Sequence, residues 1–365
     1  MKIAFYINTL AHGGAERVVT VLANSFYDRG WDVSVITTKK SDYEYVLNAN
    51  VKRYILELSQ SELSLIRRNI SRISKLRKLL KKLNPDLAVS FMAEPNFRLL
   101  LAAKATNLKT VVSVRNDPSK EYPNIFLRIA ANVLFRKASG VVFQTQEARS
   151  CFNKEVQEKS VIIFNPVDKI FFDSKYNPLD NLVINCGRLV DQKNQELLIN
   201  SFKKVVEKHP KAILEIYGDG PLKKKLESQI LDLGLEKNVF IKGLVSNILP
   251  VLEHASIFVL SSKYEGAPNA LMEALAVGVP CVATDCPCGG PRMLIRNMSN
   301  GVLVENDSSD DLAAAISELI SNKDLSNSIS KKAKENAAKF ETSVVIDEWE
   351  NYLSSLIKNI VRLDD

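Results

Sequence analysis

Short apolar runs alternate along the chain with longer stretches in which apolar residues recur every three or four positions. KIAFYIN, WDVSVIT, DLAVSF, TVVSVR and GVVFQT in the first half are rich in β-branched and aromatic residues and bounded by turn formers. LVINCGRL, AILEIYG, VFIKG, IFVLSS and PCVATD repeat that pattern in the second. Such runs predict strands, and helical periodicity between them predicts parallel sheets covered on both faces. The series is broken by NPVDKIFFDSKYNPLDN, Asn165 to Asn181, whose Pro and Asn content reads as a hinge. The expected organisation is an α/β domain over 1–165, a hinge over 166–180 and a second α/β domain over 181–340. A terminal helix over 341–365 is expected to pack back across the domains. In doubly wound sheets ligands sit beyond the carboxyl ends of the strands, so the cleft between the two domains is the expected site.

One amphipathic stretch changes the picture of the surface. LSLIRRNISRISKLRKLLKKL has eight basic and no acidic residues between Ser64 and Lys82. Leu63, Ile66, Ile70, Ile73, Leu76, Leu80 and Leu83 fall at helical spacing, which leaves the opposite face cationic. It suits an anionic membrane surface; an ordinary core-facing helix with a solvated basic side explains it as well. Residues 1–165 hold 26 Lys/Arg against 14 Asp/Glu, and residues 166–365 hold 23 against 28, so the halves face different environments. No binding motif or aromatic platform accompanies the charge, which argues against nucleic acid.

Of the 365 residues, 46% are hydrophobic, enough for two cores. No uncharged apolar run approaches the roughly 18 residues that span a bilayer. KIAFYIN is too short for a signal-peptide core. Five cysteines without CxxC spacing argue for a reducing, cytoplasmic compartment.

The candidate chemistry lies on the loops. Gly13-Gly14 follows the first strand and begins a helix, where backbone N–H groups can approach an anion. A dinucleotide dehydrogenase is disfavoured: HGGAE is not GxGxxG, and the second strand ends in Thr37, Thr38 and Lys39 without an acidic ribose ligand. In the second half, NCGRLVDQKN sets Arg188 and Lys193 on one outgoing loop, a planar fork and a mobile point charge suited to a diphosphate. Solvated loop cations are the alternative. YGDGP, Tyr217 to Pro221, is a further strand-end turn.

YEGAPNALMEALAVGVP, Tyr264 to Pro280, places Glu265 just before a helix and Glu273 inside it, with Pro268 suited to the first helical position. Glu273 is the only charge from Asn269 to Val279, and a lone carboxylate is costly to bury without a partner. Eight residues of helix would separate the two carboxylates by roughly 12 Å, about the reach from a hexose across a diphosphate to a ribose. The helix start at Asn269 and Ala270 can receive phosphates. Structural roles explain each part singly: Glu265 favouring the helix dipole, Glu273 pairing with a cation.

GRL…DQKN, YGDGP, SSKYEG-APNALMEALAVGVPCVATD and CGGP, in this order, resemble the family-4 glycosyltransferases with the GT-B fold. GGAER near the start, NPVD at the hinge and the terminal helix extend the resemblance over nearly the whole chain. It implies two Rossmann-like domains facing a cleft. It also implies Arg188 and Lys193 on the donor diphosphate, Glu265 on the donor sugar, Glu273 on the ribose and Gly14 near the phosphates and acceptor. Gly243, Leu244 and Val245 would lie by the base. The implied reaction is retaining, and with no D-x-D in the chain no metal or other cofactor is expected. Many relatives carry a histidine after the fourth strand of the first domain; here VSVRNDP offers Arg115, Asn116 and Asp117 instead, with Gly13, Arg115 and Asn116 as candidate sugar or acceptor contacts.

DCPCGGPRMLI, Asp285 to Ile295, is similar to bacterial enzymes that build surface polysaccharides, capsules or glycan precursors. The expected donor is a UDP-linked hexose or N-acetylhexosamine, and the expected acceptor is a polyprenyl-diphosphate-linked saccharide. Residues 64–82 would hold the protein on the inner face of the plasma membrane. A catalytically silent nucleotide-sugar binding protein and a GT-B sugar-nucleotide epimerase are the alternatives.

Overall fold

The structure is a computed structural model and describes residues 1–11, 13–57, 65–104 and 106–358. The chain forms two compact units, Met1–Pro166 with Ser343–Asp365, and Val167–Thr342. Each holds one parallel sheet. In unit 1 the strands are β1 (Lys2–Ile7), β2 (Asp32–Thr37), β3 (Lys52–Ile55), β4 (Leu87–Phe91), β5 (Lys109–Ser113), β6 (Gly140–Phe143) and β7 (Ser160–Ile162). Their spatial order is β3-β2-β1-β4-β5-β6-β7. Unit 2 has β8 (Leu182–Cys186), β9 (Ile213–Tyr217), β10 (Val239–Gly243), β11 (Ile257–Leu260), β12 (Cys281–Thr284) and β13 (Val302–Val304). They lie in the order β10-β9-β8-β11-β12-β13. All ten runs read as strands from sequence are strands, and each sheet reverses direction beside its first strand, as doubly wound sheets do.

Helices cover both faces of unit 1. Ile3, Phe5 and Ile7 pack with Val33 and Val35 under helix α1 (Gly14–Asp28). Ala4 and Tyr6, pointing the other way, pack with Leu76 and Leu80 of α2 (Leu65–Leu83) and Leu99 of α3 (Ala93–Ala103). The terminal helix, Thr342–Lys358, joins the first of these layers. Its Trp349 is fully buried against Phe91, and its Tyr352 hydroxyl donates to Lys159 O at 2.7 Å and accepts from Val141 N–H at 2.9 Å. Its register on the chain is further fixed by Glu350, which accepts from Arg29 and from Trp31 Nε1.

Most of the stretch read as a hinge belongs to unit 2. Asn177 N and Leu179 N donate to Glu253 O and His254 O, and the Tyr176 hydroxyl donates to Ala255 O at 3.0 Å. Pro and Asn here shape a segment laid along unit 2 rather than a free linker.

In α2, Leu76 and Leu80 are buried, whereas Ile70, read as core-facing, is exposed. Leu63 and Ser64 lie outside the described residues. Of the eight basic residues, Arg77 is tied to α3, donating to Leu101 O at 2.7 Å and Ala102 O at 3.0 Å, where a helix C-terminus favours a cation. Arg67, Arg68, Lys75, Lys78, Lys81 and Lys82 are exposed.

Candidate active site

The carboxyl ends of the unit 2 strands bring the predicted residues into one row. Leu244 and Val245 follow β10 and are exposed; Gly243, at the end of that strand, accepts from Gly218 N–H at 2.8 Å. Gly187 N–H in turn donates to Tyr217 O at 2.9 Å, so the loops after β8, β9 and β10 are laced together. Gly218 has φ +151, and a methyl there would lie 1.9 Å from Gly187 O, so only glycine admits this contact just before Arg188. Arg188 stands exposed at the outgoing loop of β8. Glu265 comes from the loop after β11, on the other side of β8.

The β8 and β11 loops are stitched at the switch point of the sheet. Lys193 Nζ donates to Glu265 Oε1, and Ser262 Oγ donates to the same oxygen at 2.7 Å. Ser261 Oγ donates to Lys193 O at 2.9 Å, Gln192 Nε2 to Tyr264 O at 3.0 Å and Lys263 N to Gln192 O at 2.8 Å. Glu265 N–H reaches across to Pro287 O at 2.9 Å, after β12. Below it, Gly290 lies so close that a methyl group would sit 1.6 Å from Gly266 O. The CGGP turn is thus a floor under the glutamate loop.

The site helix is Asn269–Val277. Pro268, read as its first residue, is instead its N-cap, with φ −74° and ψ 111°. The missing proline N–H therefore falls outside the helix, and Asn269 and Ala270 supply its first-turn N–H groups. Helix does not extend back to Glu265, so the 1.5 Å rise does not set the spacing of the two carboxylates. Leu271 to Val277 are all buried, Glu273 at 5% exposure included, because the helix is covered by its neighbours Lys169–Phe172 and Lys323–Ala337. Two thiols register the same grouping. Burial, with the Glu273 charge adding, pushes Cys186 up to about 11; burial with Glu265 pushes Cys286 up to about 12, and Lys193 opposes both.

In unit 1, Gly13 is the N-cap of α1 and Gly14 its first residue, at the carboxyl end of β1. Arg115 follows β5. Its guanidinium donates to Asn165 Oδ1 and, at 3.3 Å, to Ser113 Oγ, and lies 5.3 Å from the centre of the Phe91 ring. Gln144 Nε2 shares Asn165 Oδ1 at 2.6 Å. Burial lowers the Arg115 pKa and raises that of Glu121, whose Oε2 is buried. Asn116 Oδ1 accepts from Asp117 N–H and Asp117 Oδ1 from Ser119 N–H, so both side chains shape the turn that begins the short helix α4 (Pro118–Glu121).

Sequence reasoning passed over several of these groups. Ser262 stands directly before KYEG, a position from which it could have been named. Asn165, Gln144 and Glu121 carry no motif. Glu94, held by Arg98 at 2.6 Å and Asn8 at 3.2 Å beside the end of β1, carries none either.

Unit 2 is thus a doubly wound unit with the Lys193–Glu265 pair at its switch point and a buried Glu273 on the following helix. Two family models match consecutively: Glycosyltransferase Family 4 over residues 12–169 and Glycosyl transferases group 1 over residues 166–336. The chain belongs to this glycosyltransferase family, with the GT-B fold. It is 33% identical over 251 residues to an uncharacterised glycosyltransferase of Methanocaldococcus jannaschii, a match spanning 62% of each chain. It is 29% identical to the GalNAc-alpha-(1->4)-GalNAc-alpha-(1->3)-diNAcBac-PP-undecaprenol alpha-1,4-N-acetyl-D-galactosaminyltransferase of Campylobacter jejuni, over 96% of this chain and 97% of that one. The crystal structure of Anabaena Alr3699/HepE in complex with UDP superposes with a TM-score of 0.85 at 21% identity, covering 97% of this chain and 100% of that one, which shows the shared fold.

Proposed function

We propose that the protein is a retaining, metal-independent hexosyltransferase. It moves a hexose or N-acetylhexosamine from a UDP-sugar to a polyprenyl-diphosphate-linked saccharide in surface polysaccharide or glycan biosynthesis. The observation that carries the reading is the Lys193–Glu265 pair, which ties the loop that carries Arg188 to the loop that leads into the Asn269–Val277 helix. Breaking a sugar–diphosphate bond develops charge on the leaving diphosphate. Two cations and a helix start preorganised around it lower that barrier without a metal. Glu265 accepts hydroxyl hydrogen bonds from the donor sugar, Glu273 from the ribose, and Gly243, Leu244 and Val245 line the base. In unit 1, Gly13, Gly14, Arg115 and Asn116 face the acceptor. The lipid-linked acceptor named for the Campylobacter relative supports the acceptor class. The exposed basic residues of α2, Arg67 to Lys82, support attachment to the inner face of the plasma membrane.

The test is acceptor-dependent UDP release from UDP-sugars, with the product anomer read by NMR and the rate repeated in excess chelator. Release that requires the lipid-linked saccharide, retains the anomer and survives chelation supports the reading. Donor conversion without acceptor would point to an epimerase, and binding without turnover to a silent relative.

A further inference from the structure

Helix α5, Ile125–Phe135, connects β5 to β6 and has two unlike faces. On the inner face Ala131 and Phe135 are buried, with the Phe135 ring stacked on Phe152 at 5.3 Å and edge-on to Phe97 of α3 at 6.3 Å. The outer face presents Ile125 at 60%, Phe126 at 79%, Ile129 at 55% and Val133 at 48% exposure. Residues one and two turns apart lie above one another, so these four form a continuous apolar stripe. Single exposed apolar residues are ordinary, but a stripe along a whole helix marks an interaction surface. The helix is well defined at its start, where Asn124 Oδ1 caps the Leu127 N–H at 2.9 Å.

Basic residues predominate around the stripe, with Glu155 present as the partner of Arg136. Arg128, Arg136 and Lys137 lie on or just after the helix, Lys120 precedes it, and no Asp or Glu occurs from Tyr122 to Gln146. Arg136 is paired with Glu155; Lys120, Arg128 and Lys137 are exposed with it. α5 packs beside α3 and α3 beside α2, which continues the row with its exposed basic residues. A second copy of the chain seated on the stripe would set one basic rim against another.

We infer that the Ile125–Phe126–Ile129–Val133 stripe docks unit 1 on an anionic phospholipid bilayer, its side chains entering the acyl boundary while the flanking cations meet the headgroups. The inference rests on the lipid-linked acceptor reading and gives it a place. α5 begins shortly after the carboxyl end of β5, where Arg115 stands, so a bilayer under the stripe presents its headgroup layer to that same edge. In the second half of α2, Leu76 and Leu80 are spent on the core and are not free to insert.

The test is co-sedimentation of the full chain with phosphatidylglycerol-containing and pure phosphatidylcholine vesicles. The variants are Phe126→Ser/Ile129→Ser on α5 and Arg67→Gln/Arg68→Gln/Arg72→Gln/Lys75→Gln on α2. The α5 variant should lose at least about tenfold in vesicle partitioning, at little changed melting temperature, since both side chains are more than half exposed. The α2 variant should lose less, and only on phosphatidylglycerol. Full binding by the α5 variant would overturn the proposal, as would a wild type that ignores vesicles, or one that forms a dimer which the α5 substitutions dissociate. UDP-induced stabilisation, measured on the same samples, is independent of the stripe. Its loss with vesicle binding intact would count against the transferase reading and not against the docking surface.

Discussion

Replacing Lys193 by methionine should damage the unliganded protein before any substrate is considered. Glu265 Oε1 takes its hydrogen bonds from Lys193 Nζ and Ser262 Oγ, and the two charged side chains retain 19% and 8% exposure. Removing one member of a buried pair costs about 3–5 kcal/mol; with the lysine a fifth open to water, about 2–3 kcal/mol is expected. At about 2–4 °C per kcal/mol for a unit of this size, the melting temperature should fall by about 4–12 °C. Glu265→Gln should be milder, under about 1 kcal/mol, because the ammonium can turn to solvent and an amide can keep the Ser262 bond. The double variant should then be more stable than Lys193→Met alone, with a coupling of about 1–2 kcal/mol. Calorimetry of the four proteins without ligand measures this. A Lys193→Met protein as stable as the wild type, or purely additive losses, would refute the pairing as the organiser of the site.

Three further outcomes are expected. Burial holds the Glu121 proton up to about 8 against an ordinary 4.5, so the unfolded chain releases it first. The associated stability is full below 4.5 and is lost as pH rises to about 8, and Glu121→Gln should flatten that decline; parallel stability curves for the two proteins would reject it. Gly290→Ala should displace Gly266 and with it Glu265, costing about 1–3 kcal/mol and raising the donor KM; unchanged donor kinetics would separate the CGGP turn from the site. Trp349→Ala should destabilise unit 1 by about 3–5 kcal/mol; if chemical denaturation shows no loss, the terminal helix is not part of that core.

The strands that the sequence made legible are mostly interior ones, because a strand buried on both faces must be a continuous apolar run. The three it hid, Lys52–Ile55, Ser160–Ile162 and Val302–Val304, are all edge strands. They are short, and the first begins with Lys52 and Arg53, which an edge tolerates. The site divides in the same way. Arg188, Lys193, Glu265 and Glu273 stand out locally, as charges on strand-end loops or alone in an apolar helix. Their partnership is not local: Lys193 and Glu265 are 72 residues apart and meet only because β8 and β11 are neighbours in the sheet. Pro268 was misplaced by one position because proline suits both the N-cap and the first turn, and only the backbone angles distinguish them. The exposed stripe on α5 looks, in one dimension, like any buried helix.

The most direct measurement is thermal melting of the wild type and Glu273→Ala with UDP, GDP or ADP at equal concentration. A nucleotide at about 100 times its dissociation constant adds roughly 2.7 kcal/mol of stability. The account predicts a shift with UDP that GDP and ADP do not match and that Glu273→Ala loses. No shift with any nucleotide, or a UDP shift that Glu273→Ala keeps in full, would contradict a donor site built on the Asn269–Val277 helix.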